Sequence, residues 1–239
     1  MQPLTWEEFQ LSAPDYAKAV AHPLEFIAAW RLRAATAVLL QAPEHPWLLI
    51  EGEPTKLEYV QVLAACAASG HPEPAVTIPT SLARELVLAA ADHWFWLWRD
   101  EPLRSLPQGC EVVAPGQADA EITRFLQRTA PQSSTLPGHV ELRFWVVNRS
   151  SDGEIAACAG GRQWRSGEAA VVSVAVAPEH RRRGLGSAVT QVAVSEWFAR
   201  GAQRVGLGVN GANSGALAMY RAMGFERELD FTSFSLRSR

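Results

Sequence analysis

Two stretches of this sequence carry residues whose types and spacing could do chemistry. In the first, Val174-Ala175-Val176-Ala177-Pro178 leads into Glu179-His180-Arg181-Arg182-Arg183-Gly184-Leu185-Gly186-Ser187. A β-branched run ends at a proline, a cationic loop follows, and a helix opens among the glycines. A helix start carries unpaired backbone N–H groups and the positive end of the dipole. Gly184 and Gly186 lack Cβ, so a phosphate can come close to those amides. The spacing is neither a Walker loop, which needs Gly-Lys before Ser187, nor a dinucleotide fingerprint, whose third glycine would stand where Val189 is. A pyrophosphate held by amides and guanidinium groups is the chemistry that remains; a solvated charge run is the plainer alternative.

The second stretch is Asn213 to Phe225. Asn213 suits a helix N-cap, Tyr220 follows two turns later on the same face, and Gly224 stops the helix. A tyrosine so placed could donate a proton to a leaving group, or could simply pack in the core.

These stretches need elements to position them. Asp119–Arg128 reads as a helix with Asp119 a possible cap, and Glu141–Asn148 as a strand. Ser151-Asp152-Gly153 turns into the returning strand Glu154–Arg162. Ala169–Ala177 is a strand, Gly184–Arg200 a helix, and Arg204–Val209 a strand. Asn213–Met223 is a helix and Leu229–Leu236 a last strand. In the N-terminal half, Leu24–Arg33 reads as a helix, and Ala37–Gln41 and Trp47–Glu51 as strands. Thr55–Ser69 reads as a helix with Leu57, Val60, Leu63 and Ala64 inward. Ala75–Ile78, Ser81–Ala91 and Trp94–Trp98 complete a strand, helix, strand series. The order from Trp47 matches the order from Ala169, which points to a diverged internal repeat; a helical cap on one catalytic domain is the alternative.

Together the two stretches and the element order resemble the GNAT superfamily of acyl-CoA-dependent N-acyltransferases, over roughly Cys110 to Leu236. The resemblance implies an α/β (α+β) fold with a mixed, mostly antiparallel sheet, splayed at the cofactor site and covered by helices on both faces. It resembles bacterial members with two GNAT-like repeats in tandem: residues 1–105 a degenerate N-terminal domain that does not bind CoA, residues 106–239 the catalytic domain. It implies acetyl-CoA as co-substrate. The backbone of Val174, Ala175 and Val176 would pair with the pantetheine arm. Arg181, Arg182, Arg183, Gly184, Leu185, Gly186 and Ser187 would bind the pyrophosphate, and Asn213 would hydrogen-bond near the pantetheine. Tyr220 would be the general acid for the departing thiolate. Gly206 and Gly208 suit the splay. Some members carry a Glu base where this chain has Gly208, so no carboxylate acts from there. Ser173 ordering a water, or Glu168 or Glu179, are the remaining candidates. The implied function is acetyl transfer to a primary amine by direct attack in a ternary complex; a non-catalytic acyl-CoA sensor is the alternative.

Bulk properties agree with this reading. The 239 residues are 48% apolar and 20% charged, enough for two small domains with real cores. A net charge of −3 gives no general attraction to nucleic acid or anionic membranes. No apolar run is long enough for a bilayer and the first residues lack a signal-peptide layout, which argues for the cytosol. Cys66, Cys110 and Cys158 fit reduced thiols, and the six histidines show no ligand spacing, so no metal is expected. The expected partners are acetyl-CoA and an amine, without membrane or nucleic acid, in a monomer or homodimer. The Trp94–Trp98 cluster could line an acceptor pocket or pack as a seam between the halves.

Overall fold

The computed structural model describes residues 1–42, 45–88, 92–103, 107–133 and 135–236. The expected division between residues 105 and 106, and the end of the expected helix at residues 89–91, lie outside the described residues. The first ten elements are β1 (Gln2–Leu4), α1 (Trp6–Ser12), α2 (Asp15–Val20), β2 (Phe26–Arg31), β3 (Ala35–Leu40), β4 (Trp47–Gly52), α3 (Lys56–Ala68), β5 (Ala75–Pro79), α4 (Thr80–Leu86) and β6 (Asp92–Arg99). Then come β7 (Cys110–Val113), α5 (Asp119–Thr129), β8 (Leu142–Arg149), β9 (Ile155–Gln163), β10 (Ala169–Val176), a 3₁₀ turn at Pro178–His180, α6 (Leu185–Ala199), β11 (Val205–Asn210), α7 (Ser214–Ala222) and β12 (Arg227–Ser235). No helix among the described residues is long and apolar enough to cross a membrane.

The chain forms two compact units, and each borrows residues from the other half of the sequence. The first holds Met1–Trp96, Val209–Asn213 and the residues from Leu229 onward; the second holds Leu97–Gly208 and Ser214–Glu228. In the first unit the strand order is β1-β2-β3-β4-β5-β12-β6. β1 to β4 pair antiparallel, β4 and β5 parallel, and β5 and β12 antiparallel. Its core gathers Trp30, Leu39, Leu48, Ile50, Val62 and Ile78. Phe26–Arg31 is a strand and not the expected helix. A short apolar run has no decisive period of its own, and the ladders to β1 and β3 on its two edges settle the matter.

In α3 the inward face also differs from expectation. Tyr59, Val62 and Cys66 are buried, while Leu57 and Val60 are 67% and 57% exposed and Ala64 is exposed. The helix is apolar almost all round, so no polar stripe marks its solvent side. Leu63 does pack against the core.

The second unit orders its strands β11-β10-β9-β8-β7, antiparallel from β7 to β10 and parallel from β10 to β11. Phe144 and Trp145, successive on β8, point to opposite faces. Phe144 meets Trp197 of α6 at 5.1 Å between ring centroids. Trp145 lies with Ile122, Phe125 and Leu126 of α5. Helices therefore cover both faces. Asp119 is not the cap of α5, since Ala118 takes that position. The Asp119 carboxylate instead accepts from the Gly116 N–H at 2.9 Å.

The two runs of elements match: strand, helix, three antiparallel strands, helix, a parallel strand, helix, strand. The first run differs by splitting its first helix into α1 and α2. The repeat is thus one of topology. The three cysteines are free; burial pushes the Cys66 and Cys158 thiols up to about 11 and about 12, so both stay protonated.

Glycine on β9 marks the tightest packing in the second unit. A Cβ at Gly161 would sit 2.2 Å from Phe144 Cζ. That ring is itself fully buried between Trp197 and the Arg200 guanidinium. Gly161→Ala is expected to cost about 1–3 kcal/mol by overpacking. Gly215→Ala, in α7 with open space around its Cβ, should be neutral or stabilising by up to about 1 kcal/mol. Thermal melts of the two variants check this: a lowered melting temperature is expected for Gly161→Ala alone.

Candidate active site

The site begins with an extra residue in a strand. β10 pairs Val172 with Gly160 and then Ala175 with Cys158, so three steps on β10 face two on β9. This is a β-bulge, and Ser173 takes the left-handed conformation there, with φ of 51°. Its hydroxyl donates to the Thr135 carbonyl at 2.6 Å. Its carbonyl accepts from the Cys158 thiol at 3.7 Å. The ladder from β10 to β11 covers only Ala169–Val171 with Val205–Leu207. Beyond it β10 runs on through Val174, Ala175 and Val176 without a partner on β11, which is the splay expected there. Gly206 pairs with Ala170, and Gly208 lies just past the last pair, exposed.

After Val176 the chain makes its 3₁₀ turn and enters the arginine loop. The Arg181 N–H donates to the Pro178 carbonyl at 3.3 Å and its Nε to the Val176 carbonyl at 3.4 Å. Arg182 and Gly184 both have positive φ, 61° and 79°. Arg181, Arg182, Arg183 and Gly184 are all exposed, as is Glu179. Gly184 is the N-cap of α6 and no side chain caps it. The first N–H groups of the helix, at Leu185, Gly186 and Ser187, thus have no side-chain acceptor at the cap. Ser187 Oγ lies instead 2.8 Å from Gln191 Nε2, which donates to it. A Cβ at Gly186 would meet Val176 Cγ2 at 3.4 Å, an ordinary contact. The fold therefore demands glycine at 184, through its backbone angle, but not at 186.

The matching helix start in the first unit is closed. β4 pairs with β3 through six successive residues and has no bulge. α3 opens with a capping box: Thr55 Oγ1 accepts from the Glu58 N–H, and the Glu58 carboxylate accepts from the Thr55 N–H at 2.9 Å. The same carboxylate accepts from the Arg33 N–H at 2.8 Å. The Arg33 and Thr55 amides hold the Glu58 carboxyl below the usual carboxylate range. On α3 the Thr55 hydroxyl takes the N–H of the third helical residue, whereas no side chain caps the start of α6.

Tyr220 on α7 is 5% exposed, with its ring edge-on to Phe225 at 6.0 Å. Burial pushes its phenol up to about 12, so it holds its proton. Asn213 belongs to the first unit; it is exposed and its N–H donates to the Asn210 carbonyl. Glu168 does not come near the bulge. It precedes β10 and stands about 15 Å along the strand from Ser173, paired with Arg204 at 2.7 Å and accepting from Trp98 Nε1. Ser173 is likewise engaged, as the tie between β10 and Thr135. Thr135 was not anticipated: it is fully buried, and its Oγ1 has no hydrogen-bond partner among the described residues. Nothing in the run Val171–Val176 marks the bulge. Trp94 and Trp96 pack on Tyr16 in the first unit, and Trp98 belongs to the second. Among the described residues no three His, Cys, Asp or Glu gather as metal ligands.

The acetyltransferase (GNAT) family model matches residues 92–225, more than half of the chain. The [ribosomal protein bS18]-alanine N-acetyltransferase of Escherichia coli K12 is 36% identical over 58 residues; that stretch is 24% of this chain and 39% of that enzyme. A GCN5-related N-acetyltransferase from Sphaerobacter thermophilus superposes with a TM-score of 0.58 at 18% identity, covering 86% of this chain and 78% of that one. A tandem GNAT protein from the clavulanic acid biosynthesis pathway gives 0.53 at 14% identity, covering 92% and 86%. At these identities the two structures show a shared fold.

The buried phenols set a pH signature. Burial raises both Tyr59 and Tyr220 to about 12, from an ordinary value of 10.0. Folded, they stay neutral while the unfolded chain ionises. The stability they hold is complete below pH 10 and is lost as pH rises toward 12. In an alkaline ultraviolet titration at least two of the three tyrosines should ionise only above about pH 11. Tyr220→Phe should remove one late phenol.

Proposed function

Since the chain belongs to the acetyltransferase (GNAT) family, we propose that it transfers the acetyl group of acetyl-CoA to a primary amine by direct attack in a ternary complex. The observation that carries this is the uncapped start of α6, set behind a bulged strand whose ladder to β11 has ended. The residues fit a diphosphate: open amides at Leu185, Gly186 and Ser187, a dipole end, and the exposed Arg181, Arg182 and Arg183. The β11-facing edge of Val174–Val176 suits an extended, amide-bearing arm, as an added strand would. The acetyl-CoA thioester supplies an activated acyl group.

In the reaction the amine nitrogen bonds to the acetyl carbon and the carbon–sulfur bond breaks. Tyr220, neutral because it is buried, donates its proton to the departing thiolate. With Gly208 on β11 and Glu168 tied to Arg204, neither position supplies the base; the amine proton passes to water, with the exposed Glu179 the remaining carboxylate candidate. The match to an enzyme named for alanine N-acetylation makes α-amines of alanine-ended peptides the first acceptors to try.

Calorimetry with acetyl-CoA tests the loop. Gly186→Glu places a carboxylate at the open amides and should abolish binding while the melting temperature stays within a degree or two; an affinity within a few-fold of the parent would refute the site. Turnover on an amine panel tests the tyrosine. Tyr220→Phe should lower kcat by about 10²–10⁴-fold with acetyl-CoA affinity nearly unchanged. Tight binding without turnover on any amine would instead mark a sensor of acyl-CoA.

A further inference from the structure

The first unit carries a cleft that the transfer chemistry does not use. It has a volume of about 390 Å³ and is lined by Trp47, Thr77, Asp92, Trp94 and Ser233, with Ala75, Phe234 and others at its margin. That volume is of the size that takes a small organic molecule. The sheet sets its geometry. Thr77 of β5 and Ser233 of β12 are direct cross-strand partners. Trp47 of β4 flanks them on one side and Trp94 of β6 on the other, in the strand order β4-β5-β12-β6. The floor is thus two small polar residues and the walls are two indoles.

A chain of hydrogen bonds fixes the walls. Trp47 Nε1 donates to Thr77 Oγ1 at 2.9 Å, Thr77 Oγ1 and Ser233 Oγ share a bond of 2.8 Å, and Trp94 Nε1 donates to Ser233 Oγ at 2.8 Å. The two indole nitrogens are therefore no more than three hydrogen-bond lengths apart, and both point at the hydroxyl pair. Trp94 is braced from behind by Tyr16 and Phe231, at ring centroid distances of 6.0 and 5.1 Å. Both indoles are half-buried and line the cleft. The hydroxyl pair has four lone pairs and two hydrogens. Two indole N–H groups and the shared bond use three lone pairs and one hydrogen. One lone pair and one O–H remain on the pair, of which Thr77 is buried and Ser233 half-buried and open to a ligand. At the rim stands Asp92, an exposed carboxylate.

We propose that this cleft binds a small organic ammonium ion bearing a hydroxyl or amino group. A cation within about 6 Å of an indole face is attracted by the ring quadrupole, and two such faces with a carboxylate at the edge act together. The residual lone pair and O–H on the floor take the ligand's own polar group. A neutral molecule of the same shape gains the packing but neither the ring attraction nor the carboxylate. The assignment stands apart from the transferase reading and does not require turnover.

The test is a titration of the full chain with choline, with butylammonium and with the neutral carbon isostere of choline, followed by the tryptophan indole N–H resonances. Choline should shift the Trp47 and Trp94 signals to saturation, and the isostere should bind roughly tenfold or more weakly. Asp92→Lys, an exposed change with no core contact, should weaken choline by a similar factor at unchanged melting temperature. Trp47→Ala should weaken choline by a similar factor. Equal binding of choline and its isostere, no saturable shift with either ammonium, or an unchanged choline affinity in Asp92→Lys would each overturn the proposal.

Discussion

A helix must satisfy its first N–H groups, and the two halves of this chain do so in opposite ways. α3 closes its own start with Thr55 and with Glu58, whose carboxylate also takes the Arg33 amide. α6 opens behind Gly184 with no side chain on its amides. These N–H groups lie at the positive end of the helix dipole beside three exposed arginines, with no side-chain cap among the described residues. The same topology thus yields one helix start closed by side chains and one without a side-chain cap.

The strand before each helix matches its start. β4 is regular along β3, while β10 carries an extra residue at Ser173. The bulge is held by two bonds, from Ser173 to Thr135 and from Cys158 to Ser173. Where it occurs the β10–β11 ladder has just ended, and Val174–Val176 go on with one edge unpartnered on β11. An unpaired strand edge and an uncapped helix start, joined by eight residues of loop (177–184), are two complementary needs placed side by side. This is why backbone, more than side chains, carries the proposed cofactor recognition.

Tyr220 shows how packing decides chemistry. A phenol on an exposed helix would lose its proton more readily; buried against Phe225 it keeps the proton it is proposed to donate. The carboxylates offer a contrast. Glu168 is bound to Arg204 and Trp98, far along β10 from the bulge, so it supports that end of the sheet.

Much of the fold was legible in the sequence. The second half's strands and helices followed from strong periods and from the punctuation of Gly153, Pro178, Gly184 and Gly224. The repeat was visible in element order alone. The turn from β10 into α6 was legible because its geometry is local: a proline after the strand and Gly184 at the helix start mark it by type and spacing. What sequence could not decide was whatever depends on a partner strand or a facing surface. Phe26–Arg31 became a strand because β1 and β3 lie on its edges. The buried stripe of α3 was hidden because both its faces are apolar. The bulge at Ser173 arises from the offset between β9 and β10, and the division of labour between Glu168 and Arg204 from proximity across the fold. Local chemistry is written in residue types; register, burial and the pairing of distant charges are set only when the chain closes on itself.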